Sequence, residues 1–238
     1  MNLYLIKWGI CSKILMYMNS KLDYVNNSLE WRFFMDKKVL FNLGYGLYVL
    51  TANWSGKDNG CIVNTVMQVA DKPTTLMVSV NKNNYTNEMI NETLKFNISI
   101  ISEKADFELF KHFGFQSGRI VNKFEGYENA KRAANGILYV TEGTNGYISA
   151  KVVKTVDMGS HTVFFAEITD GEVLNADKSV TYAYYHSNIK PKAPKKEESD
   201  DGTKKYVCTI CGYVHEGELP EDFVCPLCKH GVDAFKEL

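Results

Sequence analysis

Proline is scarce, five in 238 residues, and two of these, Pro191 and Pro194, fall within one polar stretch. The remainder can therefore form long hydrogen-bonded ladders with few missing donors. Charge of one sign is missing as well: 27 basic and 28 acidic residues leave a net charge of −1, which gives no basic surface for nucleic acid. No apolar run reaches the ~20 residues of a membrane helix. The nearest approach, Leu3 to Met18, is interrupted by Lys7 and Lys13, and no small-residue cleavage site follows it. No Gly-x-Gly-x-x-Gly opens a βαβ unit, which argues against a Rossmann domain. Of six cysteines, Cys11 and Cys61 are far apart and show no pairing pattern, so a disulfide scaffold is excluded and a reducing cytoplasm is expected.

The other four cysteines are concentrated in the last 33 residues, as Cys208-Thr-Ile-Cys211 and Cys225-Pro-Leu-Cys228. Two such turns facing each other supply tetrahedral sulfur coordination, which suits iron or zinc. Gly212 follows the first pair, where a positive φ lets backbone N–H groups point at the sulfurs. Tyr206, Tyr213, Phe223 and Phe235 are the expected apolar wall of a segment too short to fold without its metal. His215 and His230 are read as surface residues, because four thiolates already complete the tetrahedron. Residues 206–238 carry a net −4 against +3 for residues 1–205, an asymmetry that would steer the tail toward a basic partner surface. Between the two parts, residues 188–205 are rich in Lys, Pro and acidic side chains and read as a flexible linker.

The middle of the chain is mostly strand-like. Runs over Leu47–Ala52, Cys61–Val69, Thr75–Val80, Phe96–Ile101, Ile137–Thr141, Tyr147–Val156 and Thr162–Ile168 are separated by turn residues such as Ser55 to Gly60. The pattern predicts an antiparallel barrel interrupted by helices over Tyr85–Thr93 and Lys104–Phe113. An amphipathic helix is expected from Met35, with residues 1–34 a loosely ordered leader or the product of an upstream start codon, and a membrane-surface anchor the alternative. Residues 35–187 would then be the main domain.

Tyr206-Val-Cys-x-x-Cys-Gly-Tyr and Leu219-Pro-Glu-Asp-Phe-Val-Cys-Pro-Leu-Cys, ending in Asp233-Ala-Phe235, resemble a rubredoxin, in the short form found at the C-terminus of rubrerythrins. That resemblance favours iron over zinc. Lys229 and Val232 depart from it, where rubredoxins usually carry Gly and Lys. Five further stretches resemble the flavin reductase family: Gly46–Thr51, Gly60–Val69, Lys72–Val80, Phe113–Arg119 and Gly159–Glu167. The family implies a mainly β fold, an FMN-binding split barrel that works as a homodimer. Fused to a small rubredoxin-like domain with one iron held by four cysteines, it resembles the high-molecular-weight rubredoxins of anaerobic bacteria.

From the resemblance, Asn64, Thr65, Val66, Met67 and Gln68 would lie along the flavin ring. Ser79, Lys82, Tyr85 and Thr86, at a strand end that opens a helix, would hold the FMN phosphate and ribityl chain, a use to which a helix N-terminus is suited. Ser117 and Arg119 would reach the cofactor from a loop, from the neighbouring subunit in one arrangement. His161 would face the nicotinamide or the flavin as the catalytic residue, and Cys208, Cys211, Cys225 and Cys228 would ligate the iron. The implied activity is NAD(P)H oxidation, with electrons passing through FMN to iron and on to a flavodiiron O2 or NO reductase. An FMN and iron carrier reduced by another enzyme, and a binding module with a structural zinc ribbon, are the alternatives.

Overall fold

The computed structural model describes residues 37–191, 204–208, 213–225 and 231–237. The chain divides into two units, Met1–Leu43 and Gly44–Leu238. In the first, the described part is a 3-10 helix over Lys37–Asn42, where the amphipathic pattern predicts an α-helix; Met35 itself lies outside the described residues.

The second unit opens with β1 (Tyr48–Trp54), β2 (Lys57–Val63), β3 (Val66–Asp71) and β4 (Thr74–Asn81), followed by α1 (Tyr85–Thr93), β5 (Lys95–Ile101) and α2 (Phe107–Gly114). A two-stranded ribbon of β6 (Ala130–Arg132) and β7 (Leu138–Val140) leads into two long strands, β8 (Thr144–Asp157) and β9 (His161–Val173). A helical segment over residues 182–189 closes this part. The main sheet has seven antiparallel strands in the order β2-β1-β5-β8-β9-β4-β3.

That order dictates the shape. β2 and β3 are the two edges of the sheet, yet only Asn64 and Thr65 separate them in sequence. An extended chain covers at most about 11 Å from Val63 to Val66, so the sheet must curl until its edges meet. The Ser79 amide donates to Thr65 O across 3.2 Å and holds the junction. The result is a barrel laddered around its wall and split at Asn64-Thr65.

The sequence pattern predicts one strand over Cys61–Val69, and the structure corrects this to two. The junction Asn64-Thr65 carries neither Gly nor Pro, so no turn residue signals the seam. The predicted turn over Ser55 to Gly60 is tighter than expected: Ser55 (φ 51°) and Gly56 (φ 78°) make a two-residue hairpin with Trp54 opposite Lys57. Such turns need positive φ at both central residues, and they match strand twist. The predicted strand around Ile137–Thr141 is present as β7 but belongs to the separate ribbon. The second helix begins at Phe107 rather than Lys104, because Asp106 caps it by accepting from the Leu109 amide at 3.1 Å.

β1 is buried on both faces, which divides the core in two. Leu50 and Ala52 point into the barrel with Val78, Val80, Met89, Phe96, Ile98 and Phe164, while Leu47 and Val49 pack outward with Leu109, Phe110 and Phe113 of α2. Both helices are thereby fixed to the wall beside the seam. The remaining strands, β10 (Lys205–Cys208), β11 (Val214–Glu216) and β12 (Phe235–Glu237), form a three-stranded sheet in the order β11-β10-β12.

Candidate cofactor cleft and metal centre

A cleft of about 260 Å³ opens at the seam. Leu47, Ile62, Val63 and Tyr182 give it apolar walls, and Asn64, Ser79, Asn81, Asn84 and His161 contribute polar groups. Topology alone assembles them. The β2 end brings Ile62 to Asn64, the β4 end brings Ser79 and Asn81, and the β4–β9 register places His161 opposite Asn81. Of the residues predicted from sequence, Asn64, Ser79 and His161 meet here. Thr65 Oγ1 donates to Asn64 Oδ1 at 3.0 Å, and His161 Nδ1 lies 2.9 Å from Ser160 Oγ.

The N-terminus of α1 borders this cleft at Asn84, whose side chain makes no cap hydrogen bond. Backbone N–H groups at such an end have no intrahelical acceptor and favour an anion. Lys82, two residues earlier, pairs with Asp157 at the end of β8 at 2.6 Å. That hydrogen bond, with one from the Gly159 amide, holds the Asp157 carboxyl below the usual carboxylate range.

The other predicted positions lie elsewhere. Val66 is half-buried and packs on the barrel core, whereas Met67 and Gln68 are exposed on β3. Thr86 is fully buried, accepts from Asn59 Nδ2 at 2.9 Å, and so points into the barrel wall rather than the cleft. Tyr85 forms a second cluster: Lys57 Nζ sits 4.9 Å from its ring centre, and Arg119 Cζ lies 5.2 Å away. Arg119 also pairs with Glu88 at 2.6 Å. Ser117 is exposed, and its Oγ accepts from the Arg119 amide at 3.3 Å.

Sequence reading missed several residues. Ile62, Asn81, Asn84 and Tyr182 border the cleft; Asn84 was legible as the residue before a helix, but Tyr182 reaches the site only through the fold. Lys123 is a larger omission. Its side chain is buried, and Nζ donates to Gly60 O of β2 and Phe113 O of α2, each at 2.8 Å. Burial lowers its pKa from 10.5 to about 8 and pushes the neighbouring Cys61 thiol up.

In the C-terminal domain, Cys208 of β10 and Cys225 of the loop after β11 are almost wholly buried, at 1% and 0% exposure. Among the described residues Ala234 is the one other buried member of that core. Thiols held so far from solvent in so small a domain suit metal ligands better than surface redox groups. The Cys208 amide donates to Tyr213 O at 2.8 Å, closing the first knuckle. Tyr213, Phe223 and Phe235 form the wall, with Phe223 and Phe235 edge to face at 5.4 Å. His215 Nε2 lies 3.1 Å from Glu218 O and its ring leans on Phe223. Cys211, Gly212, Cys228, Lys229 and His230 lie outside the described residues.

The geometry agrees with what the chain is similar to. Residues 40–193 match the flavin reductase like domain, and residues 206–236 match the rubrerythrin, rubredoxin-like domain. The high molecular weight rubredoxin of Moorella thermoacetica is 37% identical over 230 residues, which cover 86% of this chain and 100% of that protein. The ferric-chelate reductase (NAD(P)H) of Archaeoglobus fulgidus is 37% identical over 161 residues, 68% of this chain and 95% of that one. Among solved structures, the NADH:FAD oxidoreductase SgcE6 of Streptomyces globisporus C-1027 shares the fold, with a TM-score of 0.54, 17% identity, and coverage of 60% of this chain and 84% of that one. The chain with its split barrel and two buried cysteines in its C-terminal domain thus belongs to the flavin reductase-like family, in the branch that carries a rubredoxin-like domain.

Proposed function

We propose that the protein oxidises NAD(P)H at an FMN held in the seam cleft and delivers the electrons to iron ligated by Cys208, Cys211, Cys225 and Cys228. The seam cleft is the observation that carries this reading. Leu47, Ile62 and Val63 offer apolar contact to a flat ring, and Asn64 and Ser79 stand where its polar edge needs partners. The Thr65 hydroxyl holds the Asn64 amide in one orientation. The open helix end at Asn84 accepts a phosphate, toward which Lys82 swings from Asp157.

Bound flavin would supply the conversion of a two-electron hydride donor into a source of single electrons. His161, with Ser160 Oγ beside its Nδ1, lines the cleft as the contact for nicotinamide or ring. Thr86 supports α1 from within, and the cluster of Tyr85, Ser117 and Arg119 serves a neighbouring subunit's cofactor in a homodimer. The exposed β3 strand, with Met67 59% and Val69 43% accessible, is consistent with a subunit contact. The acidic C-terminal domain suits docking on a basic patch of a separate redox protein, such as a flavodiiron reductase of O2 or NO. Reduced thiol ligands suit the cytoplasm. Among the described residues no helix is long and apolar enough to cross a membrane.

An anaerobic visible spectrum with metal analysis, taken before and after NADH, tests the proposal. Bleaching of both the flavin and the ferric-thiolate bands is expected. Bands that NADH leaves untouched but dithionite bleaches would identify a carrier reduced by another enzyme. A colourless zinc protein without flavin would leave a binding module.

A further inference from the structure

The C-terminal end of α2 joins the seam cleft to the metal-binding domain. Ile62 of β2 borders the cleft, and its far side backs onto Gly114, where an added Cβ would lie 3.3 Å from Ile62 Cγ1. The next residue, Phe115, caps α2 and donates its amide to Lys111 O at 3.1 Å. Its half-buried ring leans on Phe107, with ring centres 5.7 Å apart, and also packs against the cluster of Cys208, Cys225 and Ala234. Within that cluster Tyr213 and Phe235 are the domain's own aromatics; among the described residues Phe115 is the one supplied by the barrel.

The position of Phe115 is rigidly set. Lys123 fastens Phe113 O of α2 to Gly60 O of β2, so the helix end cannot drift from the strand that floors the cleft. Phe113 is itself fully buried and packs against Phe124 and Tyr127. A short loop after a pinned helix thus presents one aromatic ring outward at a defined place.

We propose that Phe115 is the seat on which the chain docks its own metal-binding domain, and that the Ile62–Gly114–Phe115 contact is the protein bridge between cleft and metal centre. Phe115 is a positioning residue: it neither ligates metal nor lines the cleft. The inference deepens the electron-delivery reading and rests on it for its purpose, while the docking itself is purely structural. A core with three buried members among the described residues is too small to hold the domain in place without an outside partner, and a half-buried aromatic is a suitable anchor. Without a seat, the linker would hold the two parts near each other but in no fixed orientation.

The test uses the full chain with zinc in the four-cysteine site, which keeps the protein diamagnetic, and follows backbone 15N relaxation. In the native protein, amides of residues 204–208, 213–225 and 231–237 should tumble with the barrel. In Phe115→Ala and Phe115→Gln their rotational correlation time should fall several-fold while barrel amides stay unchanged, and Phe115→Leu should restore most of the coupling. Independent tumbling of the domain in the native protein, or unchanged tumbling in both polar and small variants, would overturn the proposal. The measurement needs neither flavin nor iron, so its failure is distinct from failure of the redox reading. In the iron form, the same variants should keep NADH-dependent flavin bleaching and lose rate only in the ferric band.

Discussion

Lys123 shows how much one buried cation can organise. Its ammonium bridges two carbonyls that belong to different elements, and it stays there at the cost of desolvation, seen in a pKa near 8. Below pH 8 the side chain is charged in both folded and unfolded chains, and the folded state bears the full burial cost. Between about 8 and 10.5 the folded protein has released the proton while the unfolded chain still holds it, so stability from this group rises with pH. The shift corresponds to about 3 kcal/mol across that window. Urea unfolding of the native protein and Lys123→Met at pH 7 and pH 10 should show the difference moving in favour of the native protein. Tyr127 and Tyr185, both raised to about 12 by burial, are common to the two proteins and cancel. No sequence pattern announces such a lysine, because its partners are carbonyls 63 and 10 residues away. The C-terminal cysteines are the opposite case: four of them in two local pairs point to metal binding by their spacing.

At the scale of elements, the barrel's strands were legible wherever alternating burial is local, as in β4, where Leu76, Val78 and Val80 face the core. The seam was not, because it follows from the order of strands in the sheet. Asn64, Ser79 and His161 were named through family resemblance, and their meeting in one cleft depends on pairings between segments far apart in sequence. Helix boundaries depend on caps that periodicity does not register. Asp106 is such a cap, and its replacement by Ala should cost about 1 kcal/mol, read as a lower urea midpoint with an unchanged slope. Because α2 ends at the proposed seat, the same variant should also loosen the docked domain slightly in the relaxation experiment, whereas the metal content should not change.

The whole molecule pairs two unequal solutions to the problem of stability. The barrel buries two extensive apolar clusters, whereas the C-terminal sheet has three short strands and, among the described residues, three buried core members. For a domain of that size, a metal bound by its cysteines would supply the folding energy. Stripping the metal with a chelator under reducing conditions should abolish amide protection at residues 205–208, 214–216 and 235–237 and leave the barrel strands protected. Hydrogen exchange reads both in one sample, and retained protection in the apo domain would show that packing alone suffices.

The open seam has a thermodynamic corollary. A flat guest seated in the cleft would displace no strand and break no ladder, since it would lie between the end of β2, with Asn64, and the end of β4, beside the junction that the Ser79–Thr65 bond steadies. It would instead bridge the ends of β2 and β4 and serve as an extra stave. Its binding free energy is then added to the cohesion of the wall, so the melting temperature becomes a gauge of how full the protein is, rising with the logarithm of free guest concentration once that exceeds the dissociation constant.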